Sequence, residues 1–422
     1  MIKRIVALLV FMCSVLVESY AQPAAAGYFE LETKRNNSLK MDFELYNNLV
    51  VIPVIINSSR DTLKMILDTG VARTLITGLP NGEVVNLNFT RRVKVEGLGE
   101  GEAIEAFYSN GNEVIINRTT GHDQEVLVLV EDIFNLSTLL GTYVHGLIGY
   151  SVFQDFIVEI DYRYRWIKFH DYEKFRSKFN KKKRSSGWEE VPLIIRDGKP
   201  YVNATITQQD GSKVEVTLLI DTGASKAISL YHSANDDIFV PEKKVRSFLG
   251  NGLSGEINGY LGLIKEIQIG KYTLTEPVTT YPDEEGIKRA LVFSDRDGSI
   301  GAELMRRFKV MFNYRDSTML IQPSRFFNDE FSYNKSGIEI ATPFPNIQLY
   351  QVTHVREGSI ADRSGILEGD FITEINGKSS SEYTLNEALN IFTKGSVERL
   401  RLKLVRNDSS FRKQLDLENE LK

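Results

Sequence analysis

Cysteine and histidine are scarce in this chain of 422 residues. The only cysteine, Cys13, lies in a short apolar segment that we expect to be removed, which would leave no thiol nucleophile and no disulfide. The five histidines include no i, i+4 pair beside a glutamate, the ligand pattern of a zinc protease. A Gly-x-Ser-x-Gly elbow is also missing. Thiol chemistry is therefore excluded, zinc and serine chemistry have no motif, and we expect no metal and no cofactor.

A long apolar run is missing too. The longest N-terminal run, Ile5–Val17, follows Lys3 and Arg4 and precedes the small-x-small pattern Ser19-Tyr20-Ala21. Its thirteen residues are fewer than the roughly 20 that a bilayer span needs. The pattern predicts a signal peptide over residues 1–21 of an exported bacterial protein, periplasmic or secreted, with no stable membrane span after cleavage. The alternative is a membrane anchor.

An excess of positive charge is also lacking, since the formal net charge is −5. We therefore expect no nucleic-acid partner. One basic run stands out between residues 171 and 187, and it could be interpreted as a nucleic-acid or membrane patch. We favour a solvated linker between two domains, because exposed charge runs are common at domain boundaries. The basic residues of this run are Lys174, Arg176, Lys178, Lys181, Lys182, Lys183 and Arg184.

One motif occurs twice. Apolar runs, each typical of a buried strand, lead into Asp68-Thr69-Gly70 and into Asp221-Thr222-Gly223. A second pair of segments follows, Leu147-Ile148-Gly149 and Ser299-Ile300-Gly301. Their glycines lie 81 and 80 residues after the respective aspartates. This near-equal spacing indicates a duplicated module.

Over residues 40–325 the chain resembles the aspartic proteases, and more closely their retropepsin-like branch. Ser299 departs mildly from the family's apolar preference at that position. The resemblance implies a polypeptide substrate and a water molecule activated between Asp68 and Asp221. It also implies that the turns are supported by Thr69, Gly70, Thr222 and Gly223.

Glycine-rich segments follow each Asp-Thr-Gly turn. In the family these positions would form flaps that close over substrate; the alternative is two glycine-rich surface turns. The second segment also fits GxGxxG, but the residues after it make a poor helix, so we reject a nucleotide site. The flap candidates are Gly97, Gly99, Gly101, Gly250, Gly252 and Gly255.

The C-terminal part resembles a bacterial PDZ domain, through a Gly-Ser-x-Ala-x-x-Ser-Gly segment at 358–365 and a Gly-Asp-x-Ile-x-x-Ile-Asn-Gly hairpin at 369–377. The resemblance implies that a peptide adds beside the strand 349–355 and faces the helix 383–392. Because the loop at 343–347 departs from the usual Gly-Leu-Gly-Phe type, the ligand could be a C-terminal or an internal peptide. The alternative is a domain used only for intramolecular docking. The predicted contacts are Ile347, Leu349, Tyr350, Leu385 and Leu389.

These patterns predict a mainly β chain: two aspartic-protease β-barrels of the double-psi, retropepsin-like type, then an α+β PDZ domain. The predicted segments are a signal peptide (1–21), lobe 1 (28–170), a basic linker (171–187), lobe 2 (188–325), a linker (326–336) and the PDZ domain (337–415). Because both lobes lie in one chain, we expect a monomer.

Two functions remain open. The first is an aspartic endopeptidase whose PDZ domain recruits or gates substrate. Val71 and Ala224 stand where pepsin-like lobes usually carry a hydroxyl residue that hydrogen-bonds the carboxylate, so we expect a less acidic dyad and activity at weakly acidic to near-neutral pH. The second is a weakly active or inactive protein that binds peptides through the cleft and the PDZ groove. Both intact Asp-Thr-Gly turns favour the first, while the unusual Val71 and the lack of an obvious pro-segment leave room for the second.

Overall fold

The computed structural model describes residues 27–32, 37–185, 187–393 and 399–422. The predicted signal peptide lies outside these residues. Strands hold 47% of these described residues and helices 13%, so the fold is mainly β.

The first lobe is built mainly of β-strands, and several of them are rich in Val, Leu and Ile. Its strands are β1 (Tyr28–Leu31), β2 (Ser38–Asp42), β3 (Glu44–Tyr46), β4 (Leu49–Ile56), β5 (Leu63–Leu67), β6 (Thr74–Ile76), β7 (Phe89–Val95), β8 (Ile104–Ile116), β9 (Thr119–Leu129), β10 (Gly146–Ile148), β11 (Phe156–Asp161) and β12 (Trp166–Asp171). Its helices are α1 (Leu136–Leu140), α2 (Tyr150–Phe153) and α3 (Tyr172–Lys183).

The second lobe repeats this path. Its strands are β13 (Glu189–Pro192), β14 (Ile194–Arg196), β15 (Lys199–Thr207), β16 (Lys213–Asp221), β17 (Ile228–Leu230), β18 (Val245–Gly252), β19 (Gly255–Leu263), β20 (Glu266–Ile269), β21 (Tyr272–Thr275), β22 (Val278–Pro282), β23 (Gly298–Gly301), β24 (Phe308–Asn313) and β25 (Thr318–Pro323). Its helices are α4 (Glu284–Phe293) and α5 (Ala302–Met305).

The two lobes share one strand topology around their Asp-Thr-Gly turns. In lobe 1, β10 runs parallel to β5 and antiparallel to β6. In lobe 2, β23 runs parallel to β16 and antiparallel to β17. The outer pairs β6–β9 and β17–β22 are both parallel. Equivalent pairing at every step means that the sequence repeat is also a structural repeat.

A six-stranded sheet joins the lobes, in the order β13-β25-β24-β11-β12-β2. Its central pair is antiparallel and crosses from one lobe to the other, with Val158 opposite Phe312 and Ile160 opposite Val310. All four of these side chains are buried in one apolar core that extends through both lobes. The lobes are therefore held by backbone hydrogen bonds as well as by packing.

The basic run predicted as a linker contains α3. Asp171 caps this helix by accepting a hydrogen bond from the Lys174 backbone N–H (3.0 Å). Phe175 and Phe179 lie one turn apart and pack with Trp188 in a separate apolar cluster. The segment is thus a helix that covers the shared sheet. Most of its basic side chains are exposed, while Lys182 and Lys183 lie over the Trp188 and Phe179 rings.

The second predicted linker, residues 326–336, is tied to lobe 2 by the fully buried Arg307. Its guanidinium donates to the carbonyls of Phe326 (3.3 Å), Phe327 (3.4 Å) and Asp329, and it lies 3.4 Å from the Phe331 ring centroid. Burial lowers the pKa of Arg307 to about 10. Because this cation would be costly to bury alone, its backbone partners fix the course of the connection.

The C-terminal domain has a separate core that includes Ile338, Tyr350, Ile372 and Phe392. Its sheet has the order β26-β27-β28-β30-β31, with β29 paired to β28. The elements are β26 (Ile338–Ala341), β27 (Tyr350–Val355), α6 (Ile360–Arg363), β28 (Phe371–Ile375), β29 (Lys378–Ser379), a 3-10 turn (Ser380–Glu382), α7 (Leu385–Thr393), β30 (Arg399–Arg406) and β31 (Ser409–Asp416). Across the described part of the chain, none of the helices has the length and apolar character to cross a membrane.

Candidate active site

Two carboxylates meet between the lobes. Asp68 directly follows β5 and Asp221 ends β16, so each carboxylate sits where a buried strand turns. Asp68 is 5% exposed, and its Oδ1 and the Asp221 Oδ1 both accept a hydrogen bond from the Gly223 N–H. The structure therefore brings together the two aspartates that the sequence repeat indicated.

The neighbouring threonines hold the two turns together. The Thr69 backbone N–H donates to Thr222 Oγ1, and the Thr222 N–H donates to Thr69 Oγ1, both at 3.0 Å. Each hydroxyl then donates onward, from Thr69 to the Ile220 carbonyl (2.6 Å) and from Thr222 to the Leu67 carbonyl (2.8 Å). Both threonines are fully buried, so these four bonds have no competition from water. They are reciprocal and fix one lobe against the other.

The glycines of the turns let backbone donors approach the carboxylates. The Gly70 N–H donates to Asp68 Oδ1 (2.6 Å), and the Gly223 N–H donates to Asp221 Oδ1 (3.1 Å) and to Asp68 Oδ1 (3.2 Å). A Cβ at position 223 would lie 2.3 Å from Asp68 Cγ. A larger residue there would displace the carboxylate.

Gly149 and Gly301, the glycines of the second repeated segment, pack closely against the backbone of the two Asp-Thr-Gly turns. A Cβ at Gly149 would lie 2.0 Å from the Asp68 carbonyl oxygen, and one at Gly301 would lie 2.1 Å from the Lys226 carbonyl oxygen. Only glycine permits this backbone approach.

Burial raises the pKa of Asp68 well above its ordinary range, and the nearby Asp221 charge raises it further. The N–H groups of Gly70 and Gly223 oppose this shift without cancelling it. Val71 and Ala224 supply no hydroxyl to the carboxylates, and Val71 packs with the apolar cluster of lobe 1. Two close carboxylates that share a proton can act as a general acid and a general base.

The glycine-rich segments lie at the tips of two long hairpins, β7–β8 and β18–β19. The tips interlock: Ser254 N–H donates to the Leu98 carbonyl (2.7 Å), and Gly101 N–H donates to the Ser254 carbonyl (2.5 Å). The Gly97 N–H donates to Ser254 Oγ (3.2 Å). At Gly99, which has φ +120°, a Cβ would lie 2.4 Å from the Ser254 carbonyl carbon.

Of the second set of glycines, Gly252 faces the opposite tip, since a Cβ there would lie 2.2 Å from the Leu98 carbonyl oxygen. Gly250 and Gly255 lie beside it, at a register shift of β18 and at the start of β19. The tip residue Ser254, which the sequence reasoning did not single out, is 2% exposed. Its position between the flap candidates Gly252 and Gly255 could have indicated from the sequence that Ser254 lies at the hairpin tip.

A cleft of about 1100 Å³ lies between the aspartates and the hairpins. Both carboxylates line it, as do Leu98 and Leu253 of the tips. Side chains of the C-terminal domain, Ile340 and Leu389, line the same cleft. One continuous cavity therefore reaches from the aspartates to the C-terminal domain.

The predicted peptide groove needs correction. β27, beside which a peptide was expected to add, is paired on one side with β26 and on the other with β28, so it has no free edge. The neighbouring outer strand of the sheet is β26, which lies against α7. The sequence predicted a groove beside β27, whereas the outer strand of the sheet is β26, one strand earlier in the chain.

The predicted groove residues divide accordingly. Tyr350 is fully buried in the domain core, and Ile347 is 48% exposed on the loop before β27. Leu349 is half-buried, and Leu385 is buried on α7. Only Leu389, also on α7, lines the cleft. A groove between β26 and α7 therefore replaces the one predicted with Ile347, Leu349 and Tyr350.

The C-terminal domain contacts both lobes. The His354 ring of β27 stacks on Phe248 of the lobe 2 hairpin, with centroids 4.1 Å apart, and its Nε2 lies 3.9 Å from Glu256. On α7, Asn386 donates to the Leu45 carbonyl (3.1 Å) and accepts from the Asn47 N–H (2.8 Å). No local sequence pattern indicates these long-range pairs.

A metal centre has no ligand set here: within residues 27–32, 37–185, 187–393 and 399–422, no group of three or more His, Cys, Asp or Glu side chains is placed to hold an ion.

Comparison with known proteins identifies the C-terminal domain. Residues 351–406 match the family model of the PDZ domain, and the domain is a PDZ domain. Among solved structures, the chain is similar to the crystal structure of an aspartic proteinase from Irpex lacteus, at 10% identity and a TM-score of 0.44. That match covers 69% of this chain and 99% of the proteinase. It is too distant to carry an argument, and no curated protein matches the chain.

The predicted fold class is confirmed, a mainly β chain with barrel-like lobes and a C-terminal PDZ domain. The site itself is defined by the duplicated Asp-Thr-Gly turns and the hydrogen bonds between them.

The raised pKa of Asp68 predicts a pH-dependent stability cost. Since folding favours the protonated carboxyl, stability is full at low pH and is lost as the pH rises from the ordinary aspartate range through the raised pKa. Asp68→Asn keeps the Oδ1 acceptor without the charge, so it should raise the free energy of unfolding at pH 7 by on the order of 1 kcal/mol. Urea unfolding at pH 4 and pH 7 measures the difference, which should shrink at pH 4.

The exposed Asp236 provides the control, because Asp236→Asn should change stability by less than about 0.5 kcal/mol at both pH values. A loss of stability in Asp68→Asn at pH 7 would contradict the account of a protonated Asp68.

Proposed function

We propose that the chain is an aspartic endopeptidase that hydrolyses peptide bonds in polypeptides. The observation that carries the proposal is the reciprocal pairing of two Asp-Thr-Gly turns, which brings Asp68 and Asp221 together so that both accept from the Gly223 N–H at the base of a cleft. The cleft is large enough for an extended peptide, and no cofactor is needed for the chemistry.

The two carboxylates divide the acid and base roles. One of them holds the shared proton and donates it to the carbonyl oxygen of the scissile bond, while the other takes a proton from the attacking water. That proton later reaches the leaving nitrogen. The interlocked hairpins keep bulk water away, which strengthens these interactions. No covalent intermediate forms in this sequence of steps.

The PDZ domain acts in recruiting or gating substrate. The strand β26 and the helix α7 present Ile340 and Leu389 to the same cleft as the aspartates. An extended peptide that adds to the edge of β26 would therefore already lie beside the catalytic groups. His354 also connects this domain to the hairpin that must open.

A second candidate is a weakly active or inactive peptide-binding protein. The observation that favours it is the closed arrangement of the hairpin tips, in which Ser254 bonds to both Leu98 and Gly101. If these bonds do not open for substrate, the cleft has no catalytic use.

Export completes the proposal. The N-terminal pattern supports a bacterial protein that reaches the periplasm or the exterior after removal of residues 1–21. A folded, cysteine-free mature chain is suited to either environment.

The test is cleavage of a denatured protein across pH 3 to 8 by residues 22–422. We expect fragments with an optimum at weakly acidic to near-neutral pH, because burial raises the pKa of Asp68 and so extends the range of the shared proton upward in pH. Asp68→Asn and Asp221→Asn should each lower the rate by at least about 10²-fold, as general acid–base catalysis is removed.

The control for this test is Asp236→Asn, an exposed carboxyl outside the cleft, which should cut like the wild type. An inert wild type at every pH, or undiminished cutting by either dyad variant, would favour the peptide-binding candidate.

Removal of the His354 ring tests the gating role. A stacked aromatic pair is worth about 0.5–1.5 kcal/mol, so His354→Ala should make amide hydrogen exchange in residues 245–263 roughly 2- to 10-fold faster. The matched variant His122→Ala removes a ring that packs at a tilt against Tyr28, with centroids 5.1 Å apart, and should leave exchange in residues 245–263 unchanged. Unchanged exchange in His354→Ala would mean that the PDZ domain does not restrain the hairpin.

A further inference from the structure

The structural repeat pairs each residue of one lobe with a counterpart in the other. In lobe 1, β3 and β4 are joined at Asn47-Asn48, where Tyr46 pairs with Leu49. In lobe 2, β14 and β15 are joined at Asp197-Gly198, where Arg196 pairs with Lys199. Leu49 and Lys199 therefore occupy equivalent positions, and both line the cleft.

Two further counterparts come from the strands beside the aspartates. Leu75 pairs with Leu147 in lobe 1, and Ser229 pairs with Ser299 at the same positions of lobe 2. All four residues line the cleft. Each apolar side chain of lobe 1 thus corresponds to a polar one in lobe 2.

A fourth pair lies two residues before Gly146 and Gly298, the first residues of β10 and β23. There lobe 1 has Val144, which is 1% exposed, and lobe 2 has Arg296, which is 8% exposed and lines the cleft. At these four positions lobe 1 is apolar, and lobe 2 is polar and supplies two cations, Lys199 and Arg296.

The two cations are poorly compensated. Arg296 Nε is buried without a hydrogen-bond partner among the described residues, and the guanidinium lies 5.4 Å from the Tyr231 ring centroid. Burial lowers the pKa of Lys199, and the positive charge of Arg296 lowers it further, while Asp221 and Asp68 oppose the shift. Buried cations are stable only when an anion or several acceptors satisfy them.

The catalytic pair cannot be the whole reason for these cations. Asp68 and Asp221 share a proton and so provide about one negative charge between them. The lobe 1 turn is built in the same way with Leu49 at the equivalent position, so an Asp-Thr-Gly turn does not need a cation there. Asp197 also lines the cleft, but its side chain lies on an exposed turn.

We propose that Lys199 and Arg296 form a subsite for a carboxylate side chain of the substrate, while Leu49, Leu75 and Leu147 form a subsite for an apolar one. The preferred scissile bond then joins an apolar residue to a glutamate or an aspartate. This inference rests on the proposed endopeptidase function, and it names the substrate class of that same site.

The test compares matched peptides that contain one Leu–Glu or one Glu–Leu bond with peptides in which Gln replaces Glu. In one of the two orders, wild-type kcat/KM should be at least tenfold higher for Glu than for Gln. Lys199→Leu, which installs the lobe 1 residue, should bring this ratio close to one. Lys199→Glu should invert the preference toward a peptide with Lys in place of Glu.

The ratio separates specificity from a structural role, because a misfolded site or a disturbed dyad lowers both rates together and leaves the ratio unchanged. Equal wild-type rates for Glu and Gln in both orders, or a ratio that survives in Lys199→Leu, would overturn the subsite.

Binding separates the subsite from the proposed function. Fluorescence anisotropy with Asp68→Asn should show at least tenfold tighter binding of the Glu peptide than of the Gln peptide, and Lys199→Leu added to this variant should remove the difference. If the wild type cleaves nothing but this difference is found, the subsite stands and the endopeptidase function fails. If the wild type cleaves peptides without any preference for Glu, the endopeptidase function stands and the subsite fails.

Discussion

The geometry of the site depends on four hydrogen bonds that two buried threonines make across the lobes. Thr69 and Thr222 each accept a backbone N–H of the other lobe and donate to a carbonyl of the other lobe. Because both are shielded from water, loss of one partner leaves buried groups unsatisfied at about 1–3 kcal/mol each. This constraint sets the separation of Asp68 and Asp221 inside the protein, where burial, and then the nearby Asp221 charge, raise the pKa of Asp68. The shared sheet below adds a second attachment, so the geometry of the pair is fixed before any substrate binds.

The two lobes share the backbone framework of the site but differ in the side chains that line the cleft. The turns, their glycines and the parallel strands behind them are equivalent in the two lobes. The side chains that face the cleft are not, since Leu49 corresponds to Lys199 and Leu147 to Ser299. A symmetric acid–base pair needs such an asymmetry to hold a substrate in one orientation. The PDZ domain adds another, because it contacts the hairpin of lobe 2 through His354 and the turn of lobe 1 through Asn386.

The sequence predicted what depends on local pattern. Asp-Thr-Gly after an apolar strand, repeated at nearly equal spacing, was enough to predict two lobes and to pair Asp68 with Asp221. The glycine-rich hairpin tips were also predictable, because close backbone approach leaves few residues other than glycine. The strand order of the PDZ sheet could not be predicted, because the short β26 has no distinctive sequence pattern. The groove was therefore assigned to β27, which is paired on both sides. The packing of residues 326–336 on Arg307 escaped as well, since a buried arginine and an exposed one look alike in sequence.

The most direct test of the shared site is a double-mutant cycle on Thr69→Val and Thr222→Val, with the free energy of unfolding measured by urea denaturation. The two hydroxyls lie 3.4 Å apart in one hydrogen-bond network that joins the turns, so either substitution alone should already loosen both turns. The double substitution should then cost less than the sum of the singles, with a coupling of about 0.5–3 kcal/mol. Thr69→Ser, which keeps the hydroxyl, should cost much less than Thr69→Val. Costs that add within about 0.3–0.5 kcal/mol would show that the threonines act independently, and the account of two lobes fixed around one carboxylate pair would be wrong.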